Sequence, residues 1–232
     1  MSSNPESKIQ NRKNWYAFVR WLVRVFFFKG TGGLTIRGLE NIPKVGPLIV
    51  APNHVSHLDP PVIACAMNRQ ITFMAKAELF EHGLFGKLIA SLGAFPVRRG
   101  EGDMEAIRLT LKLLEEGRAV LMFPEGTRGD GQTMLPFNKG VGMIAKRAGA
   151  PVLPVGISGT HRKWPRGKSK PKWGRVTVVF GEPFRYEEVA VHPSEAENRD
   201  AFAAELQRRI LKACQEGGLR LCAEDGMRRG ES

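Results

Sequence analysis

Residues 48–60 read LIVAPNHVSHLDP, an apolar run that ends in a polar segment with two histidines and an aspartate. The apolar part, 48–51, has the length and composition of a buried strand. His54 and Asp59 follow it, five positions apart. A carboxylate that accepts the proton of one imidazole nitrogen leaves the other nitrogen free to take a proton from a hydroxyl. The segment is therefore a candidate acid–base device at the end of a strand.

No nucleophile accompanies this pair, since the sequence has no Gly-x-Ser-x-Gly elbow and no other activated serine or cysteine signature. The hydroxyl that loses its proton would then belong to the substrate. The same residues also fit two other interpretations, a helix N-cap and a metal site. Asp59 before Pro60 and Pro61 is typical of a helix N-cap, and His54, His57 and Asp59 have a spacing that a metallohydrolase could use to bind a metal.

Residues 119–129 read AVLMFPEGTRG, a second apolar run that ends in a turn carrying Glu125, Thr127 and Arg128. Open α/β sheets build their sites at the carboxyl ends of strands. The planar guanidinium of Arg128 suits a phosphate because it can engage two oxygens at once, and Gly126 permits close approach of the backbone to a ligand. The alternative is a local Glu125–Arg128 ion pair on a surface turn.

Apolar and amphipathic segments alternate along the rest of the chain, which predicts an α/β fold with a largely buried sheet covered by helices. The predicted strands are 47–51, 71–75, 94–98, 119–123, 152–158 and 176–181. The predicted helices are 103–117, capped by Asp103, then 140–149 and 195–214.

The motifs NHVSHLDP at 53–60 and FPEGTR at 123–128 resemble those of the glycerolipid acyltransferase family, most closely its 1-acylglycerol-3-phosphate acyltransferases. That family has two further blocks, which 93–99 and 153–155 resemble, and the likeness spans about 35–185. Departures are Pro96, an additional Arg98 before Arg99, and Gly129 after FPEGTR. The resemblance implies a mostly buried mixed sheet flanked by helices.

The resemblance also implies roles for single residues. His54 would be the general base and Asp59 its orienting partner. The residues that would bind the glycerol phosphate are Lys76, Arg99, Glu125, Gly126, Thr127 and Arg128. The implied reaction moves an acyl group from acyl-CoA or an acyl carrier protein to 1-acyl-glycerol-3-phosphate, giving phosphatidic acid for phospholipid biosynthesis. It needs no cofactor and no metal.

Other acceptors remain open within the acyltransferase interpretation: glycerol 3-phosphate, another lysophospholipid or a lyso-aminolipid. From the residues alone, a metallohydrolase and a basic nucleic-acid-binding module also remain as alternatives of other classes. The formal net charge of +12 over 232 residues indicates an anionic partner. We expect that partner to be an anionic membrane surface and not nucleic acid, because of the N-terminal segment.

Residues 15–28 are rich in Trp, Phe and Val, with Arg20 and Arg24 four positions apart. A membrane-spanning helix needs roughly 20 apolar residues, so this segment is too short and too charged to cross comfortably. It predicts an amphipathic helix lying on the membrane surface, at the cytoplasmic face of the cell membrane. A core helix and an uncleaved signal peptide are the alternatives.

The expected domains are a membrane-associating helix and hinge at 1–33, an acyltransferase domain at 34–216 and a flexible basic tail at 217–232. Three scattered cysteines, Cys65, Cys214 and Cys222, favour a reducing compartment. The basic run 162–175, with a tryptophan near each end, is interpreted as a loop that binds nucleic acid, binds a membrane surface or is simply solvated.

Overall fold

The computed structural model describes residues 15–22, 24–25, 32–81, 83–91, 93–97, 102–138, 140–164, 172 and 174–223. Its strands are β1 (Leu34–Arg37), β2 (Leu48–Pro52), β3 (Ile71–Lys76), β4 (Ala94–Val97), β5 (Ala119–Leu121), β6 (Thr133–Met134), β7 (Val152–Ser158), β8 (Val176–Phe180) and β9 (Cys222–Ala223). Its helices are α1 (15–22), α2 (Asp59–Ala66), α3 (Gly83–Ser91), α4 (Gly102–Glu115), α5 (Gly140–Ala148), α6 (Thr160–Lys163) and α7 (Glu195–Glu216).

A mixed sheet organises the molecule, with strand order β1-β8-β7-β2-β5-β3-β4. The neighbours β7, β2, β5, β3 and β4 all run parallel, whereas β8 and β1 run in the opposite direction. The carboxyl ends of β7, β2, β5, β3 and β4 therefore lie along one edge of the sheet. The segments that follow these strands are brought together there.

Both faces of the sheet are covered, as the continuous apolar runs of its parallel strands require. On β2, Leu48 and Val50 belong to the apolar core beneath α1 and α2. Ile49 and Ala51 point to the opposite face and join the core formed with α4, α5 and α7. This alternation follows from the two-residue period of a strand.

The predicted α/β fold is confirmed, and the differences lie in element ends and in short elements. Strand β5 ends at Leu121 and not at 123, because a tight turn begins at Phe123, whose carbonyl accepts the amide of Gly126 at 3.0 Å. Helix α4 begins at Gly102, so Asp103 lies inside the helix and does not cap it. The edge strand β1 and the helix α3 were not predicted.

Two basic segments of the sequence are partly structured. Lys163, in the basic run 162–175, is fully buried, and its ammonium donates to the carbonyl of Gly174 at 3.0 Å, so this part of the run is not a solvated loop. Residues 165–171 and 173 lie outside the described residues. The chain after Gly217 is ordered as far as Ala223, because Leu219 is buried and β9 pairs with β6.

Helix α1 has an inward and an outward apolar face. Tyr16 and Val19 are buried in the core next to α2, whereas Trp15, Phe18 and Trp21 are 55%, 49% and 56% exposed. The alternative that this segment is a core helix therefore describes only the face of α1 that carries Tyr16 and Val19. No helix in the described part of the chain is both long enough and apolar enough to cross a bilayer.

Candidate active site

The two polar motifs meet because the strands that carry them are paired neighbours. Leu48, Ile49 and Val50 of β2 lie opposite 119–121 of β5 in a parallel register. The segments that leave these strands, 53–58 and 122–129, therefore start side by side. A hydrogen bond of 2.8 Å from the amide of Gly129 to the carbonyl of His54 joins them.

Asn53 fixes the start of the first segment to the neighbouring strand β7. Its side-chain oxygen accepts the amide of Ile157 at 2.7 Å, and its side-chain nitrogen donates to the carbonyl of the same residue at 3.1 Å. Asn53 is 1% exposed. Both polar groups of this buried side chain are thereby satisfied. The backbone is therefore fixed directly before His54.

The imidazole of His54 is paired with Asp59 as the sequence predicted, with Nδ1 2.9 Å from Oδ2. The same carboxylate oxygen accepts the amides of Val55 at 2.7 Å and Ser56 at 2.8 Å. Asp59 is 0% exposed and is the first residue of α2, where a helix N-terminus favours negative charge. Its carboxylate thus stabilises the turn and orients the ring at the same time.

This pairing determines which nitrogen can act as a base. An ionised carboxylate is only an acceptor, so Nδ1 carries the proton and Nε2 keeps its lone pair. The side chain of His54 is 17% exposed, whereas that of Asp59 is 0% exposed. The ring is therefore oriented from its buried side and accessible from outside.

Phe123 packs on the flat face of the imidazole. The ring centroids of His54 and Phe123 are 3.8 Å apart and the planes are inclined by 21°. Phe123 is the first residue of the FPEGTR motif, and no role was predicted for it. The contact restricts rotation of the His54 ring about its side-chain bonds.

Glu125, a predicted phosphate contact, is buried and hydrogen-bonded to the backbone. It is 7% exposed, and its two oxygens accept the amides of His54 at 2.7 Å and Leu135 at 3.1 Å. Burial raises the pKa of this carboxyl, and the two amide hydrogen bonds oppose that shift. Both carboxyl oxygens of Glu125 are therefore engaged by backbone amides.

The next three residues, 126–128, remain predicted ligands of an anion. Gly126 and Thr127 are exposed and Arg128 is half-buried in the loop after β5. Gly126 has φ of 66°, a left-handed conformation that glycine adopts without strain. The loop therefore presents backbone and side-chain donors near His54, whose carbonyl accepts the amide of Gly129.

The remaining predicted cations are Lys76, Arg98 and Arg99. Lys76 is the last residue of β3, which pairs with β5 in parallel, but the placement of its side chain lies outside what the structure describes. Arg98 and Arg99 follow β4 and are also outside the described residues. The block at 153–155 lies within the buried strand β7 and contributes packing against β2.

The residues considered as metal ligands are only partly brought together. His54 and Asp59 are in contact, whereas His57 is exposed. Over the described ranges, no group of three or more His, Cys, Asp or Glu side chains is arranged to hold a metal ion. The geometry that the site does present is that of a base, its orienting carboxylate and a nearby cationic loop.

Comparison with known proteins gives concordant results. A family model described as acyltransferase matches residues 33–158. A 1-acyl-sn-glycerol-3-phosphate acyltransferase from Bacillus subtilis is 32% identical over 180 residues, which cover 77% of this chain and 87% of that protein. A lyso-ornithine lipid O-acyltransferase from Pseudomonas aeruginosa is 32% identical over 177 residues, 72% of this chain and 67% of that protein.

A solved structure has the same fold over nearly the whole chain. The crystal structure of the 1-acyl-sn-glycerophosphate acyltransferase from Thermotoga maritima superposes with a TM-score of 0.75 and 28% identity, covering 95% of this chain and 85% of that one. Some relatives are much longer. The chain spans about half the length, 51%, of a chloroplastic 1-acyl-sn-glycerol-3-phosphate acyltransferase from Brassica napus.

Proposed function

This chain belongs to the acyltransferase family and is an acyl-transfer enzyme, and we propose that its acceptor is 1-acyl-glycerol-3-phosphate. The product is then phosphatidic acid, an intermediate of phospholipid biosynthesis. The observation that carries the proposal is the contact of 2.9 Å between His54 Nδ1 and Asp59 Oδ2 beside a loop that bears Arg128.

The reaction begins when Nε2 of His54 takes the proton from the free hydroxyl of the acceptor. The hydroxyl oxygen attacks the carbonyl carbon of an acyl thioester, and a tetrahedral intermediate forms. Its C–S bond breaks, the ester remains on the acceptor, and the thiolate takes the proton back from the imidazolium. Asp59 stabilises that imidazolium without changing its own protonation. General base catalysis of this kind contributes about 10²–10⁴-fold.

The phosphate of the acceptor is held on the same side of the sheet. Arg128 supplies a planar fork that matches two phosphate oxygens, and Gly126 and Thr127 flank it in the exposed loop. Arg99 and Lys76, the other cations predicted from the sequence, are proposed to supply further positive charge to the phosphate. Binding of the phosphate places the hydroxyl near Nε2 of His54. Holding the reacting groups in this geometry lowers the entropic part of the activation barrier.

The enzyme works on a lipid from the membrane surface, with α1 lying at the interface. Trp15, Phe18 and Trp21 project from the helix on its exposed side, while Tyr16 and Val19 hold the opposite side in the core. Exposed tryptophan and phenylalanine on an amphipathic helix are typical of insertion into the headgroup region. Arg24 is exposed and favours anionic lipids, whereas Arg20 is half-buried with its guanidinium over the ring of Tyr16.

Helix α3 extends this surface. The indole nitrogen of Trp15 donates to Ser91 Oγ at 3.1 Å, which joins the two helices. Leu84 and Leu88 of α3 are 86% and 37% exposed, and Lys87 between them is exposed. Exposed apolar side chains next to a lysine suit an anionic bilayer surface. We place the protein on the cytoplasmic face of the cell membrane, where the reducing environment suits its cysteines.

The acyl donor is acyl-CoA or an acyl carrier protein, and the reaction requires no cofactor. A second acceptor class is favoured by one observation, the 32% identity to a lyso-ornithine lipid O-acyltransferase. That likeness makes a lyso-aminolipid the specific competitor of lysophosphatidate.

A single assay tests the proposed function. Purified enzyme is mixed with radiolabelled acyl-CoA or acyl carrier protein and with one of four acceptors: lysophosphatidate, glycerol 3-phosphate, another lysophospholipid and lyso-ornithine lipid. Labelled phosphatidic acid formed at a higher kcat/KM than any other product supports the proposal. Faster labelling of lyso-ornithine lipid would reassign the acceptor.

A further inference from the structure

The turn Phe123–Glu125 contacts His54 at two places. Glu125 accepts the backbone amide of His54, and Phe123 packs against its ring. We propose that Glu125 and Phe123 are positioning residues, which affect acyl transfer through His54 and do not bind the acceptor phosphate. The proposal rests on the role of His54 as general base.

Glu125 determines where the backbone of His54 lies. Its Oε1 accepts the amide of His54 at 2.7 Å, and its Oε2 accepts the amide of Leu135 at 3.1 Å. Hydrogen bonds to a charged acceptor are stronger than those between neutral groups. The carboxylate is 7% exposed, so the loss of this side chain leaves two amides without their acceptor in a buried place, and His54 shifts.

The loop that carries Arg128 does not depend on Glu125 alone. The amide of Asn138 donates to the carbonyl of Pro124 at 2.7 Å, and the amide of Gly129 donates to the carbonyl of His54 at 2.8 Å. The first of these hydrogen bonds involves neither Glu125 nor His54, so it holds the start of the loop when the carboxylate is changed. A substitution at Glu125 therefore disturbs the base more than it disturbs the phosphate ligands.

Phe123 determines how the ring of His54 is turned. With centroids 3.8 Å apart and planes inclined by 21°, the two rings are nearly parallel. Asp59 holds one edge of the imidazole through Nδ1, and Phe123 holds one face. An edge contact alone permits the ring to tilt about the hydrogen bond, whereas the additional face contact fixes the direction in which Nε2 points.

The test compares three positioning variants with Arg128→Gln as the reference for a phosphate ligand. The variants are Glu125→Ala, Glu125→Gln and Phe123→Leu. For each, kcat is measured with lysophosphatidate, and the Kd of radiolabelled lysophosphatidate is measured by equilibrium binding. A misplacement of about 1 Å costs roughly 100-fold in rate, so we expect kcat of Glu125→Ala to fall by about that factor.

Glu125→Gln should recover about tenfold of this loss, because an amide oxygen can still accept one of the two backbone amides. Phe123→Leu keeps the apolar volume and loses the flat contact, so kcat falls about tenfold. In all three variants the Kd stays within about threefold of the wild type, whereas Arg128→Gln raises it by tenfold or more.

Unchanged kcat in Glu125→Gln and Phe123→Leu overturns the proposal, and so does a rise in Kd as large as that of Arg128→Gln. Melting curves identify a variant that does not fold, and the two conservative substitutions then decide the outcome. Loss of transfer in His54→Ala together with normal rates in the positioning variants would leave the proposed function standing and remove only this inference.

Discussion

Asn53 continues the pairing between β2 and β7 after the backbone ladder ends. The last paired residues are Pro52 and Val155, and the side-chain amide of Asn53 then exchanges hydrogen bonds of 2.7 Å and 3.1 Å with the backbone of Ile157. A side chain thus takes the place of a strand residue directly before His54. The catalytic segment leaves the sheet from a fixed point because of this pairing.

Asn53→Ala should lower the free energy of unfolding by about 2–6 kcal/mol, because a buried amide and a buried carbonyl lose their partners at about 1–3 kcal/mol each. It should also lower kcat. Asn198 is a matched control, since it is 8% exposed and exchanges hydrogen bonds of 2.8 Å and 2.9 Å with the backbone of His192.

Chemical denaturation and acyl-transfer rates separate the two effects. Asn198→Ala should lose similar stability and keep its kcat at temperatures where the protein is folded. Equal kcat in the two variants would mean that Asn53 contributes only to stability.

Asp59→Asn should reduce kcat by about 10²–10⁴-fold, because a neutral amide neither selects the Nδ1–H tautomer nor stabilises the imidazolium. The amide oxygen can still accept the amides of Val55 and Ser56, so the fold should persist. Steady-state kinetics at saturating acceptor and donor measure the effect, and circular dichroism checks the fold. A folded Asp59→Asn enzyme with kcat near that of the wild type contradicts the assigned role.

Arg128→Gln should raise the KM for lysophosphatidate by roughly 10–100-fold, since a charge-assisted hydrogen bond contributes about 1.5–3 kcal/mol. The KM for the acyl donor should not change. Arg147→Gln, on the exposed side of α5, is the control for a general loss of positive charge. If both variants raise the acceptor KM equally, the effect comes from the overall field of the protein and not from a phosphate ligand.

Replacing Phe18 and Trp21 by serine should weaken binding to anionic vesicles by about tenfold, because the binding strength follows the apolar area that enters the interface. Val191→Ser is the control, as this valine is 77% exposed but lies outside α1 and α3. Vesicle flotation measures binding, and transfer to a short-chain, micelle-free acceptor should be normal in all three proteins. Undiminished flotation of the double variant would exclude α1 as the membrane contact.

The sequence predicted six strands of the main sheet because each is an apolar run of five to seven residues, a local pattern. It missed β1, whose residues Leu34, Thr35 and Ile36 are only half-buried at the sheet edge. Helix α3 was missed because Gly83 and Gly86 interrupt its pattern and Leu84 faces outward. Such elements depend on their neighbours in space.

The pairing of His54 with Asp59 could be predicted because the two residues are five positions apart in one turn. The positions of Glu125 and Asn53 could not, because their hydrogen-bond partners lie 71 and 104 residues away. The phosphate contact of Glu125 remains a prediction, and the positioning role is proposed in its place. A glutamate beside an arginine in an exposed-looking turn does not reveal that it accepts amides from a distant segment.

Deprotonation of the lipid hydroxyl by His54 is the central step of the proposed mechanism, and His54→Ala tests it most directly. Labelled phosphatidic acid is measured with purified, folded His54→Ala protein, radiolabelled acyl thioester and lysophosphatidate, with identical folding shown by circular dichroism and thermal melting. We expect the rate to fall by at least about 10²–10⁴-fold with little change in the Kd for lysophosphatidate. Transfer at a rate near that of the wild-type enzyme would contradict the mechanism.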